Sequence, residues 1–144
     1  MVTRADRFTL KQKEIERYSD FTTSFEMNPF TGMLVRVTNE DAVKQSLRNL
    51  VLTECGERFY DSNKGSKIKQ SLFELYDLAM YDVAKIQLMG ALAFYEPRAK
   101  IIDIQFGAAN KDIDSNALQV KIIFSVINIP GATFSLDLNV SRVR

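Results

Sequence analysis

Phe94-Tyr-Glu-Pro-Arg-Ala-Lys-Ile-Ile-Asp-Ile-Gln-Phe106 is the stretch in which the chain changes its hydrophobic period. Upstream, Ala79, Val83, Ile86, Gly90 and Ala93 recur at alternating spacings of four and three. That spacing predicts a helix to Phe94 whose small residues pack closely on a neighbouring element. Downstream, Ile102, Ile104 and Phe106 alternate with Asp103 and Gln105, the period of a strand. Glu96-Pro97-Arg98 stands between the two regimes. Proline bars continuation of a helix, fixes its own φ and biases the residue before it away from helix. A glycine would stop a helix at less cost, so the tripeptide holds Glu96 and Arg98 in a defined, non-helical geometry. The plain structural reading is a helix stop flanked by solvated charges. The functional reading is a rigid charged corner that meets a partner, and a second charged pair in a similar setting, Gly56-Glu57-Arg58, favours it.

Toward the C-terminus the two-residue period persists. Leu118, Val120, Ile122, Phe124 and Val126 form one alternating run, and Phe134, Leu136, Leu138 and Val140 form another. The last run has a clean apolar face and a polar one, as expected of a one-sided antiparallel sheet. Pro130-Gly131 reads as the turn between them. The expected fold is α+β, with helices packed on one face of a small, mainly antiparallel sheet.

Toward the N-terminus, Thr38 or Asn39 caps a helix whose buried stripe is Val43, Leu47, Leu50 and Val51, with Glu40 and Asp41 near its positive end. Gly56 is placed to end it in a left-handed conformation. Ser66 reads as the cap of a further helix through Ile68, Leu72 and Leu75, with a bend near Asp77. Leu34–Val37 is a short strand. Residues 1–33 read as an arm and loop, with a short helix around Leu10–Tyr18 and turn residues Asn28, Pro29 and Gly32. Residues 34–144 then form a single domain ending in a candidate edge strand.

Composition narrows the chemistry. The 144 residues suit one domain with a real core, and the net charge of +1 gives no electrostatic case for nucleic acid or an acidic membrane. No apolar run approaches the roughly 20 residues that span a bilayer, and the mixed-charge start is unlike a signal peptide. The single Cys55 rules out an internal disulfide and fits a reducing cytoplasm. Histidine is absent, which removes Ser-His-Asp and Cys-His nucleophile systems and most zinc and iron sites.

Three motifs resemble chemistry and fall short of it. Asn110-Lys-Asp-Ile-Asp-Ser-Asn116 starts like a calcium loop, but Ala117 stands where glycine is required and Ile123 where a bidentate glutamate is. It reads as a loop between strands. Gly65-Ser66-Lys67 lacks the spacing of a phosphate-binding loop and is a helix start. Glu54, Glu57, Asp61, Glu74 and Glu96 are carboxylates from which a glycosidase would have to draw its pair, in a chain without tryptophan to line a sugar cleft. No catalytic residue, metal site or cofactor is expected. Glu57 and Arg58 are expected to pair within the following loop or with the sheet. Arg98 is suited to gripping a carboxylate with two parallel hydrogen bonds, and Glu96 to accepting from an arginine.

Taken together, Asp41–Arg58, Gly65-Ser66, Leu72-Phe73-Glu74 and Glu96-Pro97-Arg98, in this order, resemble the small baseplate wedge protein of contractile-tailed bacteriophages. That family is also the sheath initiator, has a counterpart in type VI secretion baseplates, and was once labelled a tail lysozyme. The resemblance runs from about Tyr18 into the last strands. Where many relatives carry proline after the Leu72-Phe73-Glu74 motif, this chain has Leu75-Tyr76. The resemblance implies a non-enzymatic structural protein of the virion tail baseplate, assembled in the host bacterial cytoplasm. It implies that Glu96, Pro97 and Arg98 dock on a helical core bundle of larger wedge subunits, with Gly56, Glu57 and Arg58 as structural or partner contacts. It also implies a fold like the conserved part of a tail sheath subunit. Sheath arms would then add strands to its sheet, at Thr133, Phe134, Ser135, Leu136, Asp137, Leu138, Asn139 and Val140. Larger wedge subunits, the sheath protein and tube or hub proteins are the implied partners, with no nucleic acid and no membrane. A peptidoglycan-degrading tail lysozyme and a type VI secretion baseplate component are the alternatives, and Asp20 to Gly32 follows the phage branch.

Overall fold

The computed structural model describes residues 17–71, 78–108, 117–129 and 131–141. In chain order its elements are β1 (Ser19–Phe21), β2 (Arg36–Thr38), α1 (Asn39–Leu52), α2 (Ile68–Ser71), α3 (Leu78–Tyr95), β3 (Ala99–Ala108), β4 (Ala117–Val126) and β5 (Thr133–Ser141). The fold is α+β, as the change of period at Pro97 requires. β3, β4 and β5 form an antiparallel sheet in that order, with β4 central, and β1 and β2 pair in a separate two-stranded ribbon.

Alternation along β4 decides which face of the sheet is buried. Leu118, Val120, Ile122, Phe124 and Val126 all point into the core, joined by Ile104 from β3 and by Leu138 and Val140 from β5. Phe124 lies opposite Phe134 in register, their ring centroids 5.9 Å apart. α1 lies over β5 and α3 over β3, and the two helices also touch. α1 buries the expected stripe of Val43, Leu47, Leu50 and Val51. Its first residue, Asn39, has φ +49, a conformation asparagine tolerates better than most residues. The buried Asn39 side chain accepts the Arg17 amide at 3.0 Å, which ties the start of the described chain to the helix.

Several expectations are corrected. The α3 stripe of Val83, Ile86, Gly90 and Ala93 faces outward, with Ile86 71% exposed. The buried side is instead Ala84, Leu88 and Leu92, flanked by Tyr81, Met89 and Tyr95. α3 carries only Asp82 and Lys85 as charges, so it is apolar nearly all round, and its period alone admits two faces. The larger leucines take the core. In β3 the register shifts between Ile101 and Asp103. The bulge at Ile102 turns that side chain outward and gives Ile101 its place opposite Phe124. α1 ends at Leu52, with Thr53 extended and its amide bonded to the Asn49 carbonyl. Gly56 is left-handed, at φ +95, but shapes the following loop rather than ending the helix. Ser66 does not cap α2; its buried hydroxyl donates to the Val51 carbonyl. The early strand is Arg36–Thr38, two residues beyond the expected start. Most of the expected Leu10–Tyr18 helix, Leu72, Leu75, the bend near Asp77, Pro130 and the Asn110–Asn116 loop lie outside the described residues.

Candidate functional site

Pro97 does what its chemistry dictates: α3 ends at Tyr95, the Glu96 amide closes the last turn on Leu92, and the chain enters β3 at Ala99. Within this corner the two charges meet each other. Arg98 Nε donates to Glu96 Oε1 at 2.5 Å and its Nη2 to Oε2 at 2.8 Å, a bidentate grip. The Ser46 hydroxyl, reaching from α1, donates to Oε2 as well. Glu96 is only 3% exposed, whereas Pro97 is exposed and Arg98 half-buried. The Arg98 guanidinium also lies 5.4 Å from the centre of the Tyr18 ring, and Asn128 hydrogen-bonds the Tyr18 hydroxyl. Burial by itself would raise the Glu96 pKa. The hydrogen bonds from Arg98 and Ser46, with the Arg98 charge, outweigh it and hold the carboxyl below its ordinary value. The carboxylate suited to the Arg98 fork is thus its own neighbour across the proline, and Ser46 and Tyr18 complete the corner. Ser46 is legible only as a polar residue on the flank of the Val43–Leu47–Leu50 stripe.

Gly56-Glu57-Arg58 lies in a loop whose base is closed by the Ser66 amide bonding to the Thr53 carbonyl at 2.9 Å and the Gly56 amide to Ser62 at 2.6 Å. Glu57 turns back and accepts the Glu54 amide at 2.9 Å. Arg58 is exposed and makes no ion pair among the described residues, so only Glu57 of the expected structural pair is engaged inside the chain. Phe59 and Tyr60 next to it stand fully in solvent. Lys64 of the same loop lies 5.9 Å from the Tyr95 ring centre, which places the loop beside the corner.

Thr133–Val140 forms nearly all of β5, which among the described residues bonds only to β4. Among the described residues its outer flank is an open sheet edge, and Asp137 is the one charge in the strand. Among the described residues no cluster of three His, Cys, Asp or Glu is disposed to hold a metal ion.

A family model described as baseplate wedge protein gp25 matches residues 37–130. The chain belongs to the gp25 family. It is a baseplate wedge component of contractile injection systems. The matched span runs from β2 through β4 and contains both Gly56-Glu57-Arg58 and Glu96-Pro97-Arg98. Individually curated proteins include no match. Among solved structures, a chain of the anti-feeding prophage baseplate aligns at 24% identity and TM-score 0.67, covering 79% of this chain and 89% of that one. A protein described as a tail lysozyme from Geobacter sulfurreducens aligns at 19% identity and TM-score 0.63, covering 73% and 92%. A chain of the type VI secretion baseplate complex aligns at 14% and 0.60, covering 72% and 93%. At these identities the structural likeness establishes a shared fold; the gp25 assignment rests on the family model.

Proposed function

We propose that this gp25-family chain is a non-enzymatic scaffold that joins the wedge to the sheath. The corner at Glu96, Pro97 and Arg98 docks on a helical bundle built by the larger wedge subunits. β5 receives extended arms of sheath subunits as added strands, so that a domain shaped like the conserved part of a sheath subunit templates the first sheath ring. Residues 1–33 serve as the arm and 34–144 as the wedge domain, with tube or hub proteins as further neighbours. The assembly forms in the bacterial cytoplasm and resides in the virion tail baseplate.

The observation that carries this reading is the β5 edge. Exposed edges are ordinarily blunted by charge, proline or a bulge, and Thr133–Val140 carries one charge, no proline and an unbroken register. Strand addition is the interaction such an edge supports. The corner offers a surface of another kind. Its ion pair is already formed, so what it presents is a stiff Pro97 beside the apolar outer side of α3, where Val83, Ile86 and Phe94 stand exposed. An apolar stripe leading to a rigid corner suits a helical partner.

The carboxylates support the non-enzymatic half of the proposal. A glycosidase needs a general acid held above its ordinary pKa. Glu96 is shifted the other way, Glu57 is spent on a backbone amide and Glu54 lies 3.6 Å from Lys69. Glu74 lies outside the described residues. Clearing of a peptidoglycan suspension by the purified protein, abolished by one carboxylate substitution, would establish the lysozyme reading instead.

Co-assembly with the larger wedge subunits tests the docking. Glu96→Ala with Arg98→Ala removes both partners and leaves no orphaned charge, so circular dichroism should remain native. The double variant is expected to enter wedges at a tenth of the wild-type amount or less. Full incorporation would contradict docking through this corner.

A further inference from the structure

An open groove of about 500 Å³ lies beside the β5 edge. Leu136 of β5 and Leu52 of α1 supply its apolar lining, Lys44 and Arg48 its cations, and Thr23, Gln45 and Asn49 the rest. Gln45 is occupied, since its amide nitrogen donates to the Phe21 carbonyl and its oxygen accepts the Thr23 amide. Lys44 is partly occupied: it pairs with the exposed Asp41 at 3.2 Å and lies 5.4 Å from the Phe134 ring centre. Arg48, one turn further along α1, makes no ion pair or hydrogen bond among the described residues. Asp137 is the nearest carboxylate in sequence on β5, but it alternates to the opposite face from Leu136 and lies across from Lys121 in register. The groove is therefore cationic and lacks a carboxylate among its lining residues.

We infer that the strand received by β5 carries an acidic side chain where it passes Leu136, read by Arg48 with Lys44. The inference rests on the strand-addition reading and specifies the incoming partner. A strand laid along β5 sends every second side chain to the core face of the sheet, beside Phe134, Leu136 and Leu138. The one beside Leu136 enters the groove. A glutamate fits both parts of it, its methylenes on Leu52 and Leu136 and its carboxylate on the planar guanidinium of Arg48. An incoming lysine or arginine would meet two like charges, so the same groove rejects a basic strand.

The test uses the full chain with a strand of about ten alternating valines and threonines appended after Arg144 through a flexible Gly/Ser linker, which supplies a high effective concentration. One core-facing position of the strand is glutamate, glutamine or lysine. Amide hydrogen exchange along Thr133–Val140 reads strand addition, and the ranking of the three versions reads charge recognition. The glutamate strand is expected to protect β5 about three-fold or more beyond the glutamine strand, with lysine weakest. That advantage should vanish in about 1 M salt and in Arg48→Gln. Equal protection by glutamate and glutamine would overturn the acidic preference while leaving strand addition standing. If none of the three protects β5, strand addition itself fails and this inference falls with it.

Discussion

Glu96 is the only buried charged residue among those described, and its environment explains why Pro97 stands next to it. With φ of the proline fixed, Arg98 returns to its neighbour and both carboxylate oxygens are held. Replacing Glu96 with glutamine removes the charge but keeps the shape. A charge-assisted pair contributes about 1.5–3 kcal/mol, and with the Arg98 side chain 33% exposed a loss of about 1–2 kcal/mol is expected in urea unfolding. The pH dependence has a definite sign. A carboxyl whose pKa is lowered by folding contributes stability that is present above its unfolded value, about 4.3, and is lost as pH falls through the folded value. Wild-type protein should lose this contribution below about pH 4, whereas Glu96→Gln should lack that component of the acid transition. Arg98→Ala should behave in the opposite manner. Burial then dominates, the carboxyl pKa rises, and the variant should recover part of its lost stability as pH falls and Glu96 is protonated. Thermal unfolding across pH checks all three proteins. That Glu96 and Arg98 are held in a fixed, non-helical geometry was legible from the proline between them. Their pairing with each other was not, because it depends on Ser46 and Tyr18 arriving from elements distant in the chain.

At the scale of elements, alternation was the reliable signal and helical period the ambiguous one. β4 and β5 read correctly because each has a polar residue at every second position across most of its length. α3 has polar residues too few to mark a side, so Val83–Ile86–Gly90–Ala93 and Ala84–Leu88–Leu92 were both admissible stripes. Mutation separates them. Leu88→Ala should cost about 2–5 kcal/mol through the cavity it leaves, and Ile86→Lys should change stability by no more than about 0.5 kcal/mol. The reverse order in chemical denaturation would restore the small-residue stripe to the core. Ile102 was misplaced because a bulge leaves no trace in a run of isoleucines. The loop after α1 hides a similar constraint at Gly65, whose φ is +145 and where a Cβ would lie 2.7 Å from the Thr53 carbonyl oxygen. Gly65→Ala should therefore destabilise by about 1–3 kcal/mol, read as a lowered urea midpoint, even though nothing in Gly65-Ser66-Lys67 announces that backbone contact.

For the whole molecule, the described surface divides by role. One side of the sheet and the inner sides of two helices make the core. The outer side of α3, the Phe59-Tyr60 loop and the hairpin bearing Phe25, Met27, Phe30 and Met33 leave large apolar groups in solvent. A chain that is 26% charged, yet exposes these groups on three separate elements, has the surface of a part rather than of a finished object. Its family assignment accounts for that surface, since a wedge protein completes its burial inside an assembly. The order of the sheet strands leaves β5 outermost among the described residues, and that edge is where we propose the assembly attaches. A reconstruction of the intact baseplate containing this chain measures that directly. The account predicts a strand from a neighbouring subunit hydrogen-bonded along Thr133–Val140, and a helical partner against Pro97 and the outer side of α3. A finished particle in which the β5 edge and the Pro97 corner both face solvent would contradict it.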